Sequence, residues 1–548
     1  MKDPRFPELT PRQVKTLTEY GEKILVEERT ILFQPGQSNY DFYVVLDGEI
    51  TVVDAANDNA VIARHTKYEF SGDNSMLSSR AAVLDGYADA GTELLRINPE
   101  RLKKAIARHS DISDVLLNAF LLRQETVLGE IIGGIKLVGT QDSKKTYELR
   151  DFMEKNHIWY HFIDVERSSE AIELLEHFDL CGNDLPILIA GDAVCTNPTV
   201  EDVARNTGVL SDFEEKVFDV LVIGAGPAGL AASVYAASEG LSAVTIDSNA
   251  PGGQAGKSSK IENYLGFPTG ISGNDLANRA YVQAQKFGCH ISIPHRAKKI
   301  SRKDNHFILE ATNGKTIETK SIVAATGASY QRLPLENMDK FEGSGVYYSA
   351  TGMNVSSCTD EVVGVVGGGN SAGQAAMFLA GYAKEVHVIL RGDDLGAKMS
   401  DYLVQRLMAK DNIYIDLNTQ ITALHGNSHL ESTTLTHKTK GDMELPISNL
   451  FTFIGAKPCT DWLGDLVVTD EKGFICTGNS IEQKFLDRCA IFEKREPQSL
   501  ETSVPGFFAV GDVRKGSVKR VAGAVGEGSV VISQVHRYLA DIASLELE

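Results

Sequence analysis

The residues of this chain best suited to chemistry begin with a glycine spacing, Gly224-x-Gly226-x-x-Gly229, directly after the apolar run Val217-Phe-Asp-Val-Leu-Val-Ile223. A run this rich in Val, Leu and Ile reads as a buried parallel strand, and the Ala-rich stretch behind the glycines reads as a helix. The first glycine allows a sharp turn, the second lets the backbone approach a pyrophosphate, and the third lets helix and strand pack closely. The helix N-terminus then offers free N–H groups and a partial positive charge to phosphate. A second strand, Ala243–Asp247, ends in a carboxylate about twenty residues on, at the spacing that reaches a ribose hydroxyl. Residues 217–237 are nearly all apolar, so a membrane helix with a Gly-x-x-x-Gly face is the competing reading. Asp219 and the strand ending at Asp247 argue against it.

The pattern recurs. Glu361-Val-Val-Gly-Val-Val366 runs into Gly367-Gly-Gly369-Asn370-Ser371-Ala372 and a second Ala-rich stretch. Its second strand, Lys384–Arg391, ends in a cation where an acid would read an NAD ribose. An Arg there pairs with the 2′-phosphate of NADP, although Asp393 and Asp394 close by would repel it. Two such folds within residues 217–548 mean two dinucleotides, and the spacing leaves room for the second to interrupt the first. Ile322-Val-Ala-Ala-Thr-Gly-Ala328 is a strand and turn at the crossing point. Gly506–Asp512 is a late strand delivering an acid, followed by Lys519–Gly528 and a final helix.

These elements sit in a chain of 548 residues, enough for about three or four domains. Its 43% hydrophobic content and 16 prolines are ordinary for a globular protein. The net charge of −20 disfavours nucleic acid and anionic membranes as partners. The seven cysteines are scattered and none forms Cys-x-x-Cys. With no apolar core behind Met1-Lys-Asp-Pro-Arg-Phe6, the expectation is a cytoplasmic protein with reduced thiols and no membrane span. Residues 1–125 read as a β-roll followed by helices, with Phe42–Val53 as a hairpin turning at Asp47-Gly48. Residues 130–210 alternate strand and helix and close on a hairpin at 185–192; Cys181 and Cys195 there are either redox partners or incidental thiols. Glu214-Glu-Lys216 is a short charged linker.

Three resemblances follow from these residues. The Phe42–Glu49 stretch is similar to the hairpin of cyclic-nucleotide-binding domains. That likeness places a ribose contact at Asp73 and a phosphate contact at Arg80; the alternative is a β-roll kept for docking, without a nucleotide. No DNA-binding helix-turn-helix follows it. Residues 130–210 resemble a thioredoxin or glutaredoxin fold, with Pro186 at the position of that family's cis-proline. Its dithiol position reads Thr140–Thr146 without cysteine, which excludes thioredoxin-type exchange there. Residues 217–548 resemble the bacterial thioredoxin reductase branch of the FAD-dependent pyridine nucleotide–disulfide oxidoreductases. The motifs are Gly-Ala-Gly-Pro-Ala-Gly (224–229), Gly252-Gly-Gln254, Ile261-Glu-Asn263, Ala325-Thr-Gly327, Gly367–Ala372 and Ala509-Val-Gly-Asp512.

The resemblances imply an α/β chain with two Rossmann-like, three-layer dinucleotide-binding domains. A β-roll cyclic-nucleotide-binding-like domain (1–128) and a thioredoxin-like α/β domain (129–212) precede them. The FAD-binding domain would span 217–334 and 458–548, and the NAD(P)H-binding domain 335–457. FAD would be held by Gly224, Gly226, Pro227, Ala228, Gly229, Asp247, Gly253, Gln254, Asn263, Thr326, Gly327, Gly511, Asp512, Lys519, Arg520, Val521 and Ala524. NADPH, or NADH in its place, would be held by Gly367, Gly369, Asn370, Ser371, Ala372, Arg391 and Gly455. Neither a metal nor a nucleic acid is implied; a homodimer is, together with an unidentified electron acceptor or redox protein.

The resemblance breaks at the redox point. Val346-Tyr-Tyr-Ser349-Ala-Thr-Gly352 stands where that family carries its Cys-x-x-Cys, so Ser349 and Gly352 replace both cysteines. Cys358, six residues further on, is single. Lys519-Arg520 replaces the family's Arg-Gln pair and puts a cation toward the flavin, which would stabilise its anionic reduced form. The expected function is hydride transfer from NADPH to FAD, then to an acceptor without an internal dithiol. The alternative is a non-catalytic flavin- and nucleotide-binding sensor or regulatory interaction protein.

Overall fold

Phe218–Ile223 forms the strand its composition calls for, flanked in parallel by Ala243–Ile246 and Thr316–Ala324 at the centre of a seven-stranded sheet. Its apolar side chains are buried on both faces, the condition under which such a run is stable. The computed structural model describes residues 3–545 except 38–39, 55–58, 73–75, 77–81, 83, 127–134, 142, 179, 191–192, 211–215, 259, 304–305, 352–353 and 488. Asp73, Arg80, Gly352, Glu214 and Glu215 therefore lie outside the described residues.

The glycines after this strand are required by geometry. Gly224 has φ +106°, and a Cβ on it would stand 2.3 Å from the Ala325 carbonyl oxygen. A Cβ on Gly229 would stand 1.8 Å from the Gly224 carbonyl oxygen, so the helix Pro227–Ser238 meets the strand only through a bare Cα. The late strand Phe507–Ala509 pairs in parallel with Thr316–Ala324, which returns the C-terminal segment to this sheet. The helix Val521–Leu545 then crosses Pro227–Ser238 at Gly528, where a Cβ would lie 2.2 Å from the Ala228 carbonyl oxygen.

A second sheet of five parallel strands runs Val346–Tyr347, Ile447–Thr452, Val362–Val366, Glu385–Ile389, Ile413–Asp416. Its central strand feeds the helix Asn370–Leu379. The strand expected to end at Arg391 stops at Ile389, and Arg391 stands two residues beyond it.

The middle segment pairs Ile135–Gly139 in parallel with His161–Asp164 and antiparallel with Ile187–Ala190, which pairs antiparallel with Ala193–Thr196. Helices Lys144–Lys155, Ser169–His177 and Val200–Asn206 complete it, and the Leu185–Pro186 bond is cis. Leu149, Phe152 and Met153 share one apolar cluster with Val220, Val222 and Ile291 of the large sheet. Burying this common face holds the segment against the first dinucleotide fold.

The N-terminal residues build two antiparallel sheets, ordered Glu22–Leu25, Glu93–Ile97, Phe42–Asp47 and Thr30–Phe33, Asp85–Ala88, Ile50–Asp54, Ala60–His65. The expected hairpin at Phe42–Val53 is corrected here, because its two strands join different sheets. Phe42–Val45 and Ile50–Val53 are buried along their length rather than on alternate residues, and one two-stranded ribbon cannot cover both. Gly48 (φ +84°) instead turns the chain against Thr92. Helices Pro99–Arg108 and Ser110–Thr126 follow, and Arg123 donates to the carbonyls of Arg5, Phe70 and Gly72.

The helix crossing gives a contrast between two glycines. Gly528→Val is expected to lower stability to thermal unfolding by at least about 1–3 kcal/mol, through overpacking. Gly369→Ala, at a position with nothing within 4 Å of the added Cβ, is expected to stay within about 0.5 kcal/mol of the parent chain. Equal melting temperatures for the two variants would contradict the crossing geometry.

Candidate functional site

Both glycine turns end in helices whose first N–H groups have no side-chain cap. Gly226 is the N-cap of Pro227–Ser238 and Gly369 that of Asn370–Leu379. A Cβ on Gly226 would meet only the Gly253 Cα, at 4.0 Å, and one on Gly369 would meet nothing within 4 Å. Each turn is therefore closed where helix meets strand and open where its N–H groups point. That combination suits a pyrophosphate.

Around the first turn, the Asp247 carboxylate accepts from the N–H groups of Ala225 (2.8 Å), Asn249 (2.8 Å) and Ala250 (3.2 Å). Burial pushes its pKa up while these donors pull it back. The side chain thus ties the second strand to the glycine turn. Gln254 Oε1 is buried and has no hydrogen-bond partner among the described residues. Thr326 Oγ1 donates to the Cys459 carbonyl at 2.8 Å, and Gly327 (φ +65°) accepts from the Cys459 N–H at 3.1 Å. Gly511 lies against Ala228 and Ala524 at the start of the last helix, and its N–H donates to Glu527 at 2.7 Å. Burial pushes the Asp512 carboxyl up. Lys519 donates to the Asp512 carbonyl at 3.3 Å and covers the Phe474 ring, while Arg520 is exposed and Val521 half-buried beside it. Gly253 lies against Gly226, whereas Asn263 is exposed.

Around the second turn, Gly367 (φ +141°) lies against the Phe453 carbonyl, Ala372 is buried, and Gly455 (φ +55°) packs beside Gln331. The Asn370 amide is bound at both ends to Ser400, at 3.0 and 2.7 Å, which leaves its backbone N–H for a ligand. Arg391 is exposed and makes no ion pair among the described residues.

The two sides meet in a narrow cleft. Gln254, Lys257 and Ser258 line it from one side; Tyr348, Ala350, Ser371, Gln374, Ala375 and Phe453 line it from the other. Lys257 escaped sequence reasoning; its signal was a lone cation three residues after Gln254. Burial pushes its pKa down to about 8. The orphan Gln254 oxygen and the two open glycine turns fit two dinucleotides, one on each side.

Ser349 sits between the cleft residues Tyr348 and Ala350 and is itself 5% exposed. Cys358 lies fully inside the second core, and burial pushes its thiol up to about 12. All seven cysteines are free, and only Cys181 is exposed. The helix Lys144–Lys155 of the middle segment reaches this region. The Tyr147 ring lies 5.4 Å from Tyr347, itself 5.3 Å from Phe451, and Gln141 donates to Ser356 at 3.3 Å. Next to the same helix, Asn156 donates to the Asn249 carbonyl of the first dinucleotide fold at 2.8 Å. No helix among the described residues is long and apolar enough to cross a membrane.

Comparison with known proteins agrees with this geometry. The model of the pyridine nucleotide-disulphide oxidoreductases matches residues 218–528, and that of the cyclic nucleotide-binding domain matches residues 23–109. The thioredoxin reductase of Mycoplasmopsis pulmonis is 33% identical over 324 residues, covering 58% of this chain and 96% of the relative. That of Bacillus subtilis is 31% identical over 333 residues, covering 60% and 97%. The crystal structure of Lactococcus lactis thioredoxin reductase in its FR conformation is 25% identical with a TM-score of 0.53, over 59% of this chain and 99% of that one. That of T. acidophilum thioredoxin reductase is 28% identical with a TM-score of 0.53, over 60% and 100%. With more than half its length in that match, the chain belongs to the pyridine nucleotide-disulphide oxidoreductase family, on its thioredoxin reductase-like side, behind a cyclic nucleotide-binding domain.

Proposed function

We propose that the chain is an NAD(P)H-dependent flavoprotein reductase whose electrons leave without an internal dithiol. The carrying observation is that Gln254 and Ser371, one beside each open glycine turn, line the same cleft. In this reading 217–334 with 458–548 holds FAD and 335–457 holds NADPH, or NADH. The nicotinamide would supply a hydride and the flavin would take it. The chain's own work is to hold the two ring systems against one another and keep water from between them. Gln254 would take a hydrogen bond from the flavin, Asp512 and Lys519 would approach its far end, and Arg391 would meet a 2′-phosphate.

A relay needs a thiolate beside the flavin. Ser349 cannot supply one, and Cys358 is protonated in the core. The acceptor would then meet the flavin directly, as a small molecule or a redox carrier.

The middle segment would be a thioredoxin-like module without its own dithiol, supported by its strand order and the cis Leu185–Pro186 bond. Docked on both dinucleotide folds by its Lys144–Lys155 helix, it would favour one relative orientation of the two. The second reading, a nucleotide-responsive sensor, draws on the N-terminal domain match alone.

Anaerobic addition of NADPH to the purified flavoprotein is expected to bleach the flavin band promptly. No bleaching with either NADPH or NADH would sink the reductase and leave the sensor. Added thioredoxin with a disulfide dye is expected to give no turnover; turnover would mean that a thiol of this chain carries electrons after all. Thiol labelling at neutral pH is expected to modify Cys181 first, and Cys289 and Cys358 only after unfolding, because burial raises those two thiols to about 11 and about 12. Rapid labelling of Cys358 in the folded protein would contradict its burial.

A further inference from the structure

We propose that Lys257, a residue of the first dinucleotide fold, supplies the cation for the pyrophosphate of the nicotinamide dinucleotide held on the second. The inference rests on the two-dinucleotide reading above and adds a residue that the glycine fingerprints do not contain.

The placement comes first. Gly253 lies against Gly226 in the first turn, and the short helix Gly253–Gly256 carries the chain away from it. Lys257 ends that helix and shares the cleft with Ser371, Gln374 and Ala375. Those three belong to the opening turns of Asn370–Leu379, whose uncapped N–H groups form the second phosphate cradle. Lys257 therefore reaches across from one fold to the other fold's helix N-terminus.

The charge balance comes second. The second fingerprint, Gly-Gly-Gly-Asn-Ser-Ala at 367–372, has no basic residue of its own. A pyrophosphate brings two negative charges, and helix N–H groups meet them only in part. The Lys257 ammonium makes no hydrogen bond or ion pair among the described residues, although the side chain is half-buried in the cleft. An unpaired charge in such a place is unfavourable until an anion pairs with it.

The surrounding charges leave it available. Lys155 repels it, and Asp151 is already paired with Lys155 on the docked helix. Asp247 is occupied by backbone N–H groups, and Cys459 is the remaining titratable neighbour. Pairing across the cleft also ties dinucleotide binding to the relative position of the two folds.

The test uses the FAD-loaded full chain, its Lys257→Met and Lys257→Arg variants, and two non-reducing probes, NADP⁺ and NAD⁺, with binding read by calorimetry. Lys257→Met is expected to weaken both probes by about tenfold, the size of one charge-assisted hydrogen bond. It is also expected to flatten the salt dependence of binding, with flavin content unchanged. Lys257→Arg is expected to recover most of the affinity and the salt dependence. Unchanged affinity in Lys257→Met overturns the proposal. So does loss of FAD with NADP⁺ affinity kept, which would assign the charge to the flavin's phosphates, and so does weakening of NADP⁺ alone, which would assign it to the 2′-phosphate. A parent chain that binds neither probe overturns the two-dinucleotide reading itself.

Discussion

Two helices of this protein begin with donors that no side chain satisfies, and the architecture of its larger part serves that condition. An uncapped helix N-terminus must find water or an anion for its N–H groups. At Gly226 and Gly369 the backbone stays open to receive one. Keeping it open requires close packing immediately behind. Gly229 lies against the Gly224 carbonyl and Gly367 against that of Phe453, so a side chain at either position would push its helix off its strand. Parallel strands deliver each turn to the carboxyl edge of its sheet, and the cleft is lined by the second helix on one side and, on the other, by Gln254 and Lys257 that follow Gly253 beside the first turn.

Chemistry by cysteine depends on a low pKa and on access, and Cys358 has neither. The residues around it serve packing: Tyr347 and Ala350 share its apolar cluster, and Tyr147 of the middle segment closes that cluster from outside. The middle segment covers this surface through the tilted ring contacts of Tyr147, Tyr347 and Phe451. Polar character is kept in the cleft instead, by the orphan Gln254 oxygen on one side and by Ser371 and Gln374 on the other.

What the sequence disclosed, and what it hid, follows range. Glycine turns, strand runs and the proline at 186 are local, because steric limits act over a few residues; their spacing was legible and the backbone carries it out. Which sheet a strand joins is a long-range matter. The Asp47-Gly48 turn looked like a hairpin because the turn residues were right, yet burial on both faces assigns its strands to different sheets. The Asn370 amide is held by Ser400, thirty residues away, a pairing that no local spacing discloses. Lys257 carried no motif, and its meaning emerges only when two folds far apart in the chain face each other. Asp73, Arg80 and Gly352 keep their sequence reading, since they lie outside the described residues.

The central claim is that the flavin is the last electron carrier inside this chain. Counting electrons tests it most directly. An anaerobic reductive titration of the purified protein should reach full reduction after two electrons per FAD, with all seven thiols already reduced. Uptake of four electrons per FAD would reveal a disulfide in redox contact with the flavin and contradict the account.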